Sequence, residues 1–449
     1  MLKTREKRID PLARLVQVWR MSAKTALSLV CTAHVLLFCS DSAPGPSSEF
    51  ETKKDAAVEE TSSELACTFR FFNCDNDPAT GCETDTIADN NNCGGCGKTC
   101  ATQCVAGACA RPDCPKGMWE CNQNGSDGCE TNLDTNPTSC GECAHSCQGS
   151  ACTGGVCGST VLSKGKDSPF GIATNATHVF FTTADGNVVR TALDGSGERV
   201  IASGRKNLRA IQVDATHVYW TEEGLGDNDG ILGRATLDGV CATTCPDVVA
   251  SLLEHPRAFA MDSQNAYIVN FALGGKDGSI VKVAKTGGTA EKILPGLERP
   301  WGIAADPNTI FYTQENKGLF RSKTDGSNNL QVGTGTGSKG VATDASYAYF
   351  ATDKNIFRVA RASTGGKQDT LASGNILYAV MADSNHVYYT TATEVKRTPK
   401  DGNCVGPCPV TMAKGDLNGI LFNVSSIAQD AKYLYWSNVV GTTVERAPK

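Results

Sequence analysis

The stretch Pro300-Trp301-Gly302-Ile303-Ala304-Ala305-Asp306 is followed by Thr309-Ile310-Phe311-Tyr312-Thr313 and then by Leu319-Phe320-Arg321-Ser322-Lys323-Thr324-Asp325-Gly326. It reads as three short strands. An apolar run ends in Asp306, an aromatic run ends in Thr313, and a third run closes on an Asp-Gly hairpin signal. The same frame recurs at Ile172, Ile211, Phe259, Ile303, Val341, Val380 and Ile427, seven copies set 38 to 48 residues apart. The fourth position of the frame is Asp in six copies and Asn175 in the remaining one.

A full copy adds two more runs, such as Val188-Val189-Arg190-Thr191-Ala192-Leu193 and Arg199-Val200-Ile201-Ala202. Four antiparallel strands at a period near forty residues predict a propeller blade. The last copy stops at Lys449 after its third strand, and Thr160-Val161-Leu162-Ser163-Lys164-Gly165 matches the missing fourth. The expectation is an all-β, seven-bladed β-propeller over 159–449, closed by 160–165 beside Thr443-Val444-Glu445-Arg446. Closure leaves few open sheet edges.

Upstream, the cysteines dominate. Cys67, Cys74, Cys82, Cys93, Cys96 and Cys100 recur 47 residues later as Cys114, Cys121, Cys129, Cys140, Cys143 and Cys147. Cys104 and Cys109 recur 48 residues later as Cys152 and Cys157. Two small disulfide-rich modules, 67–110 and 111–158, are therefore expected ahead of the propeller. Units this short bury too little apolar surface to stand without staples. The pairs Cys93-x-x-Cys96 and Cys140-x-x-Cys143 are alternatively half-sites for zinc, although His145 is the only histidine in either module. Eight cysteines allow 105 pairings, so connectivity stays open. In the repeats, Cys241 with Cys245 and Cys404 with Cys408 follow Asp-Gly turns and read as local hairpin disulfides.

The N-terminus supplies a route out of the cytoplasm. Residues 1–20 are basic, Met21 is an alternative start, and the apolar run from Ala26 to Phe38 suits a signal-peptide core. Leu36-Leu37-Phe38-Cys39 resembles a bacterial lipobox, which would acylate Cys39 and anchor the chain to a membrane; cleavage near Ala43 and an uncleaved anchor are the alternatives. Residues 1–39 are thus a signal and 40–66, rich in Ser, Pro, Glu and Lys, a disordered linker. Destinations are the outer membrane or cell surface, otherwise the periplasm or medium.

A net charge of −6 argues against nucleic acid as a partner. Nor is a cofactor motif evident. Asp75, Asp77, Glu83 and Asp85, or Asn122, Asn124, Asp127 and Glu130, are oxygen ligands spaced for calcium, although Asn and Asp are also ordinary turn residues. At the approach to the first strands the equivalent residues are Phe170, Arg209, Arg257, Trp301, Lys339, Tyr378 and Ser425. A sevenfold ring would gather these cations and aromatics at one mouth, where such side chains anchor recognition; the alternative is packing between blades. Nearby loops add Asp185, Glu222, Glu223, Asp227, Asp229, Asp277, Glu315 and Asp353. His178, His217 and His386 share one repeat position, either as zinc ligands or as turn residues bonded to the preceding Asp.

Tyr219-Trp220-Thr221-Glu222, together with Pro300–Asp306 and Leu319–Gly326, resembles the YWTD repeats of lipoprotein-receptor-type propellers. The resemblance covers about 160–449. It departs from the family in lacking the closing Asp in every copy and in counting seven blades rather than six. It implies a ligand-binding propeller beside disulfide-rich modules and carries over no catalytic residue. The layout also looks like that of secreted lipoproteins of soil bacteria. Two function classes follow: a surface binding or adhesion protein taking a protein or glycan ligand at the propeller face, or a secreted lactonase- or lyase-like enzyme with a metal in the channel.

Overall fold

The computed structural model describes residues 71–449 apart from 76, 78–80, 101–102, 106–107, 110–113, 123–127, 242–244, 272–276, 404–406 and 415–423. The expectations for the signal, the linker, Cys39, Cys67, Asn124, Asp127 and Cys404 lie outside the described residues. Seven four-stranded antiparallel sheets follow one another along the chain. Blade 1 begins at Ile172–Thr174, blade 2 at Leu208–Val213, blade 3 at Pro256–Met261 and blade 4 at Pro300–Ala305. Blades 5, 6 and 7 begin at Val341–Thr343, Ile376–Ala382 and Val424–Gln429.

The second strand of every blade is buried on both faces, which is why its sequence is a continuous aromatic and aliphatic run rather than an alternating one. Successive side chains point to opposite faces and enter opposite interblade cores. Phe180 of blade 1 packs with Val218 and Trp220 of blade 2, while its neighbours Val179 and Phe181 pack with Tyr435 of blade 7. That second cluster closes the ring. Thr160–Lys164 pairs antiparallel with Thr443–Pro448, with Thr443 opposite Lys164 and Arg446 opposite Thr160. The expected closure is therefore observed, and Leu162 joins the same core.

The frame's Asp is a hub. Oδ1 of Asp344 accepts the backbone N–H groups of Ser346 and Tyr347, and Oδ2 accepts the hydroxyl of Tyr349. Asp262, Asp383 and Asp430 bond the Tyr five residues ahead in the same way. Cations from the following blade complete the arrangement: Lys285 reaches Asp214, Arg361 Asp306, Lys400 Asp344 and Lys449 Asp383. A third-strand arginine adds a second link between blades. Arg190 donates to Leu237 O at 2.9 Å, and Arg358 donates to Lys400 O at 2.6 Å.

In the second module Cys114 pairs with Cys129, Cys121 with Cys143, Cys140 with Cys152, and Cys147 with Cys157. The first module repeats two of these as Cys74–Cys96 and Cys93–Cys104, and Cys82 and Cys100 are also disulfide-bonded. Each Cys-x-x-Cys is thus divided between two disulfides, so neither is a zinc half-site. Cys241–Cys245 is the expected hairpin disulfide, and Cys408 is disulfide-bonded. Disulfides in this number belong to an oxidising, extracytoplasmic compartment. Among the described residues no helix is long and apolar enough to cross a membrane.

The second module lies against blades 6 and 7. Its strand Val156–Cys157 lies beside Val410–Lys414, and Gln148 Nε2 donates to Lys432 O at 3.3 Å. Arg397, equivalent to the arginines that link blades, instead makes an ion pair with Glu142 of the module. Its side chain is only 4% exposed.

Candidate binding site at the propeller mouth

First strands begin at one end of the ring, and there the frame breaks register with its neighbour. Shifts occur between Leu208 and Ile211, between Pro256 and Ala258, and between Pro300 and Ile303. Blades 6 and 7 shift likewise, between Ile376 and Val380 and between Val424 and Ile427. A bulge re-aims a side chain. Arg209, Arg257 and Trp301 sit within such shifts, as do Tyr378 and Ser425.

Phe170, Arg209, Arg257, Trp301 and Lys339 all line one cavity of about 460 Å³ on the ring axis. Tyr378 and Ser425 lie on first strands at the same level, their side chains outside the described ones; the adjacent Ser426 lines the cavity. Below the rim the wall is small and aliphatic. One residue further along each frame stand Gly171, Ala210, Ala258, Gly302, Gly340, Ala379 and Ser426, followed inward by Ile303, Val341, Val380 and Ile427.

The small residues are required by the close approach of first strands. A Cβ on Gly302 would lie 2.1 Å from Lys339 O, and one on Gly171 would lie 2.6 Å from Arg209 O. Second-strand hydroxyls hold this geometry. Thr313 Oγ1 accepts the Gly302 N–H at 2.9 Å and donates to Lys339 O of the next blade at 2.6 Å. Ser437 donates to Phe170 O across the closure, and Thr182, Thr221 and Thr390 accept N–H groups of Gly171, Ala210 and Ala379. This ring of small residues and hydroxyls was missed from the sequence, although the Gly/Ala/Ser before every first-strand anchor was its visible signal.

The rim is a chain of cations and aromatics. Arg209 lies over the Phe170 ring at 5.5 Å and donates through Nε to Glu223 at 2.6 Å. Arg257 lies over Phe271 at 3.8 Å and over Trp301 at 4.9 Å, and it shares Glu223 at 3.5 Å. Phe271 meets Trp301 edge-on at 5.4 Å, and Lys339 lies over Trp301 at 5.6 Å. Burial pushes the Arg257 guanidinium below its ordinary range; Glu223 opposes this, and the charges of Arg209 and Arg299 add to it.

The acids take other places. Glu222 is buried against Trp220 Nε1 at 3.0 Å and near Arg205, and Glu315 pairs with Arg299. Asp185 accepts from Thr183 and Asn187, and Asp229 accepts the N–H groups of Leu225 and Gly226. Asp353 stands 3.9 Å from Lys339, and Asp227 is exposed 3.4 Å from His255. Asp277 is exposed. None of them lines the cavity.

His178, His217 and His386 open second strands at the far end of the ring, their backbone N–H groups bonded to Asn175, Asp214 and Asp383. They are turn residues. Among the described residues, the only three His, Cys or carboxylate ligand atoms that converge are the sulfurs of Cys140, Cys147 and Cys157, all in disulfides. In the modules Glu83 and Glu130 accept the N–H of Cys74 and Cys121, while Asp75 and Asp85 cap the turns at Asp77 and Ile87.

No protein-family model and no curated protein matches the sequence. By structure the chain is similar to the virginiamycin B lyase from Staphylococcus aureus, at 14% identity and TM-score 0.51 over 65% of this chain and 98% of that one. A catalytically inactive variant of that lyase with quinupristin gives the same figures. The nidogen/laminin complex is 20% identical over 53% of this chain and 97% of that one, at TM-score 0.41. The likeness to the lyase is one of fold.

Proposed function

We propose that the protein is an exported binding protein that receives its ligand at the propeller mouth, held at the outer membrane or cell surface through acylated Cys39. The observation that carries this reading is the axial cavity, whose ionisable residues among the described lining are Arg209, Arg257 and Lys339, all cations. An enzyme of the metal-lyase or lactonase kind would need acids or histidines at one depth, and no described lining residue is His, Asp, Glu or Cys. Of the two ligand classes expected, a protein is favoured over a glycan. Ser426 is the one uncharged hydrogen-bonding side chain among the described lining residues apart from the Trp301 indole, whereas a sugar presents hydroxyls on every face.

The test is retention of extracellular proteins and glycans on the immobilised protein. Trp301→Ala is expected to weaken retention about tenfold or more, as hot-spot aromatics do, while His217→Ala at the far end leaves it unchanged. Retention insensitive to Trp301→Ala and Arg209→Ala removes the mouth as the site. The anchor has its own measurement: Cys39→Ala is expected to move the protein out of the membrane fraction, and unchanged fractionation overturns acylation.

A further inference from the structure

The chemistry of the cavity narrows what a partner inserts. Its rim carries three cations, and its wall below them is aliphatic. Arg209 and Arg257 share one carboxylate, Glu223, so the two guanidiniums keep an excess positive charge beside the cavity. The aromatic rings around them are already covered by cations: Trp301 lies under both Arg257 and Lys339. These rings therefore aim the charges instead of offering a free face for stacking. The wall's backbone N–H groups at Gly171, Ala210, Gly302 and Ala379 are bonded to hydroxyls of the protein's own second strands. An inserted strand would find no ladder there.

A group that fits is a carboxylate carried on an apolar body. The carboxylate gains charge-assisted hydrogen bonds at the rim, and the apolar part leaves water for the aliphatic channel. Two leucines at the mouth end of blade 2, Leu225 in the loop after the second strand and Leu252 near the end of the outermost strand, are 73% and 76% exposed. A free small acid would leave them uncovered, and a polypeptide would not. We propose, resting on the mouth as the binding site, that it captures the C-terminus of a partner polypeptide, with the terminal carboxylate on the cationic rim and an apolar last side chain in the channel.

The experiment is titration calorimetry of the full chain with acetylated pentapeptides varied in their last residue, each as free acid and as C-terminal amide. Free acids ending in an aliphatic residue are expected to bind, and their amides to bind about tenfold more weakly or worse. Lys339→Met and Arg257→Gln are expected to reduce acid binding to the level of the amide, and added salt to weaken it. Should Arg257→Gln melt early, Lys339→Met and the salt series carry the result. Equal binding of acid and amide, or no binding by any free acid, overturns the proposal. Octanoate binding where peptide acids do not assigns the site to free acids and overturns the polypeptide source. Tighter binding of an oligosaccharide overturns it as well. Where an amide, octanoate or an oligosaccharide binds, loss of that binding in Trp301→Ala leaves the mouth reading standing, whereas binding that survives Trp301→Ala removes that reading itself.

Discussion

Asp344 joins a turn, a strand and a neighbouring blade through two oxygens. Burial pushes its carboxyl up, but hydrogen bonds from Lys400, Tyr349, Ser346 and Tyr347 outweigh that and hold it at about 2. Asp383, bonded to Asn385, His386, Lys449 and Tyr388, is held at about 2 against the same desolvation. The unfolded carboxyl titrates near 3.9. A depressed native value contributes stability that is fully present above the unfolded value and is lost as pH falls from about 4 towards 2. Asp344→Asn is therefore expected to melt lower than the parent at neutral pH and to converge with it near pH 2. A gap in melting temperature that does not shrink with acid would contradict this. Blade 1 shows why Asn can still form the turn: Asn175 bonds the Thr177 and His178 N–H groups, and Phe180 stands where blade 4 carries Phe311 and the remaining frames carry Tyr.

At the scale of the element, the first strand of each blade has two duties that pull against each other. It must pack tightly around the axis, yet in blades 2, 3, 4, 6 and 7 it must also bulge where a side chain is presented at the rim. Gly302 resolves the conflict in blade 4, since its hydrogen lies where Lys339 O leaves no room for a carbon. Gly302→Ala should push the Trp301 bulge outward, costing about 1–3 kcal/mol by overpacking and weakening ligand retention together with stability. Urea unfolding checks the first effect and the binding titration the second. A variant as stable as the parent would mean that the first strands are less constrained than this geometry requires. The rim residues themselves were legible in the sequence, because equivalent repeat positions must converge once a ring is assumed. Glu223 was legible too, as one of the acids in the neighbouring loops, but Phe271 was not: it follows a second strand and reaches the rim through a loop whose path the repeat does not specify.

For the molecule as a whole, an ion pair ties the second cysteine module to the propeller. Arg397 is nearly fully buried, and Glu142 of the second module is its partner. Removing one member of a buried pair leaves an uncompensated charge and costs about 3–5 kcal/mol. Glu142→Ala is accordingly expected to lower the melting temperature sharply, and Arg397→Met added to it should recover most of the loss. Scanning calorimetry of the single and double variants decides, and a Glu142→Ala protein that melts like the parent would mean that the module is not fastened here. The structure sets the second module against blades 6 and 7.

The sequence by itself determined the seven blades, the closing strand and the duplicated cysteine units, because each is a repeat, and a repeat exposes its own period and its own missing piece. It also marked the rim positions, since a ring sends equivalent residues to one mouth. Only the tertiary structure decided that the aromatics there aim cations, that the acids turn away from the cavity, and that one arginine of the interblade set belongs to the module. Those outcomes depend on side chains meeting across blade boundaries tens to hundreds of residues apart, as Arg397 meets Glu142 at a separation of 255. No local pattern encodes such a meeting; it exists only after the ring has closed.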